Sequence, residues 1–254
     1  HLIEAVRLSR TQISLAYMFG TIASALMLTR AGRAYDRYGA RVLGPLTCVG
    51  LGVVLLLLSQ CDRIAGILTR LTGVEGAWSP FVVLLLGFFA LRFTGQGVLT
   101  MASRNMLLKW FDRRRGLAVG VSGVCVSLAM SLSPRVFDAM IEWWSWRAAW
   151  QVTGLVLGVG VAGVALVFYR DNPEQCGLVP DGKDPPPSYD GSVHTARRAF
   201  TLSEARRCYT FWVFALTLAM FGLYITGVTF HVVHIFDKAG MTREQAVAIF
   251  FPTS

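Results

Sequence analysis

The sequence predicts an all-α protein that crosses a membrane several times. Of its 254 residues, 54% are hydrophobic and only 15% are charged, whereas a soluble domain carries about 25% charged residues. The mean hydropathy is +0.52. Apolar runs of roughly 20 residues, the length that spans a bilayer as a helix, recur along the chain. We therefore expect a polytopic bundle of transmembrane helices.

The apolar runs place the expected spans in order along the chain. A polar interval rich in proline separates the first five spans from the rest, and such composition favours an extended, poorly packed linker. At its end, Thr201–Arg207 is typical of a short amphipathic helix that Thr201 or Ser203 can cap. We expect a first helical half over residues 1–168, a cytoplasmic linker over 169–208 and the start of a second half over 209–254. The predicted spans are about 13–29, 42–59, 81–106, 116–134, 148–168 and 209–230, with another from about 244.

The formal net charge of +9 invites a nucleic-acid partner, but the positions of the charges argue against one. Of the 24 Lys and Arg residues, fifteen fall on one side of the predicted spans and eight on the other. The positive-inside rule makes the richer side cytoplasmic. Topology in a lipid bilayer then explains the charge, without nucleic acid. We expect a multi-pass protein of the plasma membrane, which in a bacterium is the inner membrane.

The sequence contains no pattern that predicts catalysis. The five cysteines are scattered, with no CxxC and no metal-ligand spacing. There is no Walker A motif, no serine in a glycine elbow, no HExxH and no pair of acidic residues within a span. We therefore expect neither an enzyme nor a cofactor or metal site.

A charged hairpin joins the first two spans, with the sequence Gly32-Arg-Ala-Tyr-Asp-Arg-Tyr-Gly-Ala-Arg41. Gly32 lets one helix end close to its neighbour, and Gly39 allows the positive φ of a sharp turn. Asp36 can accept hydrogen bonds at a helix N-terminus, where the helix dipole favours a carboxylate. Arg37 and Arg41 can pair with Asp36 or with lipid phosphate. The alternative is an ordinary basic loop that only fixes topology.

The pattern Gly-x-x-x-Asp-Arg-x-Gly-x-Arg resembles the loop between helices 2 and 3 of major facilitator superfamily transporters. Val42 departs from it, because many members carry a second basic residue there. The resemblance implies two six-helix halves joined by a long cytoplasmic loop. The spans would then be helices 2–7 and the start of helix 8, so the chain looks like a fragment without helix 1 and the last four helices. The resemblance also implies a gating role for Gly32, Asp36, Arg37, Gly39 and Arg41.

Two further segments are similar to the branch that contains the monocarboxylate-transporter-like and oxalate/formate-antiporter-like proteins. One is Trp110-Phe-Asp-Arg-Arg-Arg-Gly-Leu-Ala-Val-Gly120, before the fourth predicted span. The other follows the fifth span, from Asn172-Pro-Glu to Gly-Leu-Val-Pro-Asp-Gly182. The similarity implies a small organic anion as substrate, coupled to a proton or to an exchanged anion.

Arg92 is the most informative residue inside a span. It lies eleven residues into the predicted span 81–106, about 17 Å along a helix and so near the middle of the bilayer. A central Arg costs about 3 kcal/mol on insertion, and the apolar residues around it return roughly 5 kcal/mol. Arg92, Gln96, Thr100 and Ser103 form one polar stripe. We expect the arginine to bind or steer an anion, or else to pair with a carboxylate or backbone carbonyls of another helix.

Three other residues are candidates for contact with substrate. Tyr17 belongs to a polar stripe on the first predicted span, and Tyr224 and His231 recur seven residues apart on the sixth. Each tyrosine can donate a hydrogen bond or simply pack, and the histidine can carry a proton or lie in a wet interface. The candidate substrate-binding set is Arg92, Gln96, Tyr17, Tyr224 and His231.

The sequence as a whole predicts a secondary active transporter of small organic anions, either monocarboxylates or dicarboxylates, that works by alternating access. Two alternatives stay open: an exporter of hydrophobic or cationic compounds on the same fold, and a membrane sensor that does not transport.

Overall fold

The computed structural model describes residues 6, 8–74, 76–182 and 201–240, and these are helical with short connections and without strands. Among the described residues, five helices are long and apolar enough to cross a membrane: Arg10–Leu58, Trp78–Trp110, Arg115–Trp143, Trp146–Phe168 and Tyr209–Val228. The all-α, membrane-spanning fold class is confirmed. The span expected from about residue 244 lies outside the described residues. The helices are α1 (Arg10–Leu58), α2 (Cys61–Thr72), α3 (Trp78–Trp110), α4 (Arg115–Trp143), α5 (Trp146–Phe168), α6 (Leu202–Arg207) and α7 (Tyr209–Lys238).

Helix α1 is a hairpin of two arms, residues 10–38 and 40–58, and not one continuous span. Only Gly39 leaves the helical conformation, with φ 74° and ψ 176°. The arms are antiparallel, because Ala16 of the first and Leu58 of the second belong to one core cluster. The expected loop between the two predicted spans is therefore almost entirely helical. The first arm does not end near Gly32 as expected, since it continues for six residues beyond it.

Helices α3 and α5 pack beside the two arms through glycines. A Cβ on Gly52 of the second arm would lie 2.5 Å from the Gly154 carbonyl oxygen and 2.7 Å from the Gly158 Cα. A Cβ on Gly20 of the first arm would lie 2.8 Å from the Phe89 backbone nitrogen of α3. Small residues are the usual means by which helices approach closely in lipid.

The helices of this bundle have a common hairpin end, which we define by a core cluster around the Gly39 turn. It contains Tyr35 and Ala40 of α1 together with Val98 and Ala102 of α3, and Tyr169 packs against it. The opposite end contains Leu58, Leu84 and Trp146. The charge distribution predicts that the hairpin end faces the cytoplasm.

Helix α2 is amphipathic and was not expected from the hydropathy pattern. It is too short and too charged to cross a bilayer, and it ends at Gly73, whose φ of 67° is left-handed. Cys61 and Ala65 are buried against the bundle, while Ile67 and Leu71 are exposed. Its Asp62 is joined to Arg147 at the start of α5 by an ion pair of 2.6 Å. This ion pair joins α2 to α5 at the opposite end of the bundle.

Two further predictions concern single helices. The short helix at Thr201–Arg207 is confirmed as α6, because Thr201 caps it and the Glu204 side chain accepts from the Thr201 backbone N–H. Helix α4 continues through Pro134 to Trp143, beyond the predicted span 116–134. The Ser133 hydroxyl donates to the Met130 carbonyl beside this proline.

The contacts divide the chain into two compact units. The first contains His1–Gly123 and Val136–Lys183, and the second contains Val124–Arg135 and Asp184–Ser254. The first unit holds the hairpin, α2, α3 and α5. It therefore includes Arg92, Gln96, Tyr17 and the whole 32–41 segment.

The orientation of the bundle can be tested by single-cysteine labelling in a background without the five native cysteines. We expect Ser188→Cys to react from the cytoplasmic side and Ser145→Cys from the outer side, because fifteen basic residues lie on one side of the predicted spans and eight on the other. Membrane-impermeant maleimide applied to intact cells and to inverted vesicles measures this. Labelling of both positions from the same side contradicts the assigned spans.

Candidate functional site

Arg92 lies close to the middle of α3, where the helix changes from α to π geometry. The π segment runs over Arg92–Leu99, between Trp78–Leu91 and Thr100–Trp110. Such wider turns are rare in proteins and occur frequently at functional sites. The Thr100 hydroxyl donates to the Gly95 carbonyl, five residues back, at 3.2 Å.

Glycines let the π segment lie against both arms of α1. A Cβ on Gly97 would lie 3.2 Å from Leu28 of the first arm. A Cβ on Gly95 would lie 3.6 Å from Leu51 of the second arm. The segment is thus held between the two arms, and this fixes where Arg92 can point.

The Arg92 guanidinium contacts two of the residues that the sequence singles out. The Cζ atom of Arg92 lies 5.1 Å from the centre of the Tyr17 ring, within the range of a cation–π interaction. Its Nη1 donates to the Gln96 side-chain oxygen. Tyr17 is itself held by the Phe88 ring, at 5.6 Å and an interplanar angle of 79°. Arg92, Gln96 and Tyr17 therefore form one site.

No carboxylate balances this charge within the described residues. Two ion pairs of that part of the chain, Arg147 with Asp62 and Arg115 with Asp112, lie at the two ends of the bundle. Within that part of the chain, no Asp or Glu oxygen lies within 4.0 Å of Arg92. Arg92 is half-buried and Gln96 is exposed, so the guanidinium remains accessible. The sequence left two roles open for Arg92: binding an anion, or pairing with a carboxylate or backbone carbonyls of another helix. The described residues give no support to a pair with a carboxylate.

Ser103 of the stripe and the other two substrate candidates lie at other points along the chain. Ser103 shares a hydrogen bond of 3.3 Å with the Tyr169 hydroxyl at the hairpin end. Tyr224 is on α7 and is 68% exposed, in the second unit. His231 also lies within α7, and its side chain is outside the described residues. The roles of Tyr224 and His231 stay predictions.

The 32–41 segment forms the turn of the hairpin. Gly39 adopts the positive φ that was expected. Gly32 faces Met101 of α3, whose sulfur would lie 4.0 Å from a Cβ there. Asp36 and Arg37 are exposed, and Arg37 lies 5.4 Å over the Tyr38 ring.

The carboxylate at the N-terminus of the second arm is Asp171, and not Asp36 as the sequence suggested. The Arg41 backbone N–H donates to the Asp171 Oδ1 at 2.9 Å. Asp171 follows α5 and is separated from Arg41 by 130 residues. Its only sequence signal is that it directly follows Arg170, the first basic residue after the fifth predicted span. Sequence reasoning missed this residue and also Asp181, whose carboxylate accepts from backbone N–H groups before α4.

The comparisons with known proteins agree with this architecture. A family model described as Major Facilitator Superfamily matches residues 1–254. The search of curated proteins and the search of solved structures found no match.

Proposed function

Because the chain belongs to the major facilitator superfamily, whose members are membrane transporters, we propose that it transports small organic anions by alternating access. The proposed substrates are monocarboxylates or dicarboxylates. Uptake is coupled to a proton or to an exchanged anion, in the plasma membrane or bacterial inner membrane. The similarity of residues 110–120 and 172–182 to the monocarboxylate-transporter-like branch supports this choice.

The observation that carries the proposal is the Arg92 site. A guanidinium in the middle of a membrane-spanning helix is costly, and such residues commonly mark pathways for ions or substrates. Within the described residues, Arg92 has the Tyr17 ring and the Gln96 amide as partners and no carboxylate. A substrate carboxylate is the counter-ion that this arrangement would accept.

The side chains assign the following roles in the proposed mechanism. The planar guanidinium can bind a carboxylate through two parallel hydrogen bonds, which strengthen where water is scarce. The Tyr17 ring contacts one face of the guanidinium, so the N–H groups on the edge of the guanidinium can still donate to a substrate. The Gln96 side chain has an amide N–H group that can donate to a second substrate oxygen. Rocking of the two halves would then expose this bound anion alternately to each side.

The test is counterflow with the full-length protein in liposomes. Vesicles are loaded with an unlabelled monocarboxylate or dicarboxylate, and uptake of the same labelled anion is measured next to a labelled organic cation. Saturable anion counterflow supports the proposal. Saturable transport of the cation alone would indicate the exporter, and stoichiometric anion binding without counterflow would indicate the sensor. Either of these results overturns the proposal.

A further inference from the structure

The segment that follows α5, residues 169–182, contacts the bundle at both of its ends and is not an extended linker over this part, although residues 174–178 between the two ends are exposed. The Tyr169 ring fills the space above Gly44 of the second arm, where a Cβ would lie 2.6 Å from a ring carbon. The Arg170 carbonyl accepts from the Trp110 indole N–H at 3.2 Å. Pro173 is fully buried within a short 3-10 turn. The first of the two compact units ends directly after this segment.

Asp171 binds the turn of the hairpin. Its carboxylate accepts from the Arg41 N–H, which belongs to the first turn of the second arm, where backbone N–H groups have no partner within the helix. The carboxylate also occupies the space of a side chain at position 39, because a Cβ on Gly39 would lie 2.2 to 2.6 Å from its atoms. Glycine at position 39 therefore does two things: it permits the positive φ, and it leaves room for Asp171.

Asp181 binds the start of α4 in the same manner. Its carboxylate accepts from three consecutive backbone N–H groups, those of Asp112 at 3.3 Å, Arg113 at 2.7 Å and Arg114 at 3.3 Å. Asp181 has a φ of 64°, a conformation uncommon outside glycine but tolerated by aspartate. Partial burial alone would raise the pKa of this carboxyl, but the three N–H groups and the Arg114 charge outweigh burial and hold the pKa below its usual range.

The lowered pKa of Asp181 keeps its carboxylate charged at physiological pH. A carboxyl whose pKa is lower in the folded protein contributes its full stability above about 3.9, the pKa of an unfolded-chain aspartate. That contribution is lost only as the pH falls through the lower native pKa. The contact is therefore charged throughout the neutral range and does not act as a proton switch.

We propose that residues 169–182 form a clasp, in which Asp171 and Asp181 are positioning residues that set the rate of transport. The clasp joins the second arm of α1, α3, the start of α4 and the end of α5. Ser103, the α3 residue that pairs with Tyr169, is eleven residues from Arg92, or about 17 Å along the helix. Loss of the clasp should therefore lower the maximal rate and leave the affinity at Arg92 unchanged. The rate part of this proposal rests on the proposed transport function, whereas its contacts do not.

The first test measures amide hydrogen exchange, which needs no substrate. Asp171→Ala should speed exchange in a peptide that contains Arg41, and Asp181→Ala in a peptide that contains Arg113, each about tenfold and without affecting the other peptide. Glu174→Ala is the matched control, because Glu174 is an exposed acid in the same segment. Unchanged exchange in both aspartate variants overturns the clasp, whatever the substrate.

The second test asks whether Gly39 and Asp171 act through one contact. Gly39→Ala should impair transport strongly in the native background, because the new Cβ meets the carboxylate. In the Asp171→Ala background the same change should have a much smaller effect, since only the cost of the positive φ remains. If the loss of rate in the double variant equals the product of the losses in the two single variants within about twofold, the two residues act independently and the pairing is overturned.

The third readout separates positioning from simple stability. Per folded protein, Asp171→Ala and Asp181→Ala should each lower the maximal rate about tenfold with an unchanged half-saturating concentration. The milder Asp171→Asn variant covers the case in which the alanine variant does not fold. A normal maximal rate in the folded variants means that the carboxylates only stabilise the protein, and overturns the positioning role.

Discussion

Replacement of Arg92 by alanine is expected to abolish uptake of the preferred anion. Truncating one partner of a buried, hydrogen-bonded charge pair costs about 2–5 kcal/mol, so uptake at low substrate concentration should fall at least roughly 30-fold. Arg92→Lys keeps the charge but loses the planar fork, and it should keep part of the uptake. The measurement is initial uptake of a labelled carboxylate into liposomes, normalised to folded protein.

Arg104→Ala is the matched control for this prediction. Arg104 is on the same helix as Arg92, but it is exposed and near the hairpin end. It should transport the anion with normal affinity. If Arg92→Ala also transports with unchanged affinity, Arg92 is not a substrate ligand and the anionic substrate loses its main support. If alanine and lysine instead both reduce folded protein alone, Arg92 has a structural role.

Replacement of Asp36 by asparagine is expected to lower the maximal transport rate far more than the affinity for substrate. Asp36 is exposed at the hairpin end, away from the Arg92 site, so its charge cannot contact the ligand. A charge at a gate changes the balance between the inward-open and outward-open states, and the apparent affinity shifts only by the ligand's differential affinity for them. Uptake measured over a range of substrate concentrations separates the two parameters.

Glu174→Gln removes an exposed carboxylate near the same end and should leave the rate unchanged. A normal maximal rate in Asp36→Asn, at normal expression, would refute the gating role and leave the segment as a loop that fixes topology.

The roles of Asp36 and Asp171 can also be distinguished by hydrogen exchange. Only Asp171 lies against the Arg41 N–H, so only its replacement should speed exchange there.

The spans could be predicted because hydropathy is local. A run such as Phe81–Leu91 is long and apolar whatever surrounds it, and it lies within α3 as expected. Gly39 was predictable for a similar reason, since its positive φ is a property of one residue. Helix α2 was missed because its charges lower its mean hydropathy, and its stability depends on Cys61 and Ala65 packing against the bundle.

The site could be predicted only in part, since its contacts join distant parts of the chain. Arg92 and Gln96 could be placed on one polar stripe because they lie four residues apart on one helix, and their side chains do contact each other. Tyr17 was a candidate from its own stripe, but nothing local indicates that its ring faces a guanidinium 75 residues away. Asp171 and Asp181 bind backbone N–H groups, which every residue has, so no side-chain pattern in the sequence identifies their partners.

The π segment determines how the two α-helical parts of α3 are rotated relative to each other about the helix axis. Each residue of an α-helix turns the chain by about 100°, so a segment that accommodates one additional residue sets the angle between the two parts of the helix. Deletion of a single residue within Arg92–Leu99 would turn the guanidinium by roughly that angle relative to the part beyond Thr100. Two chains with the same arginine, the same hydropathy and the same charge could therefore direct it at different neighbours. At this position the number of residues, more than their identity, determines what the arginine faces.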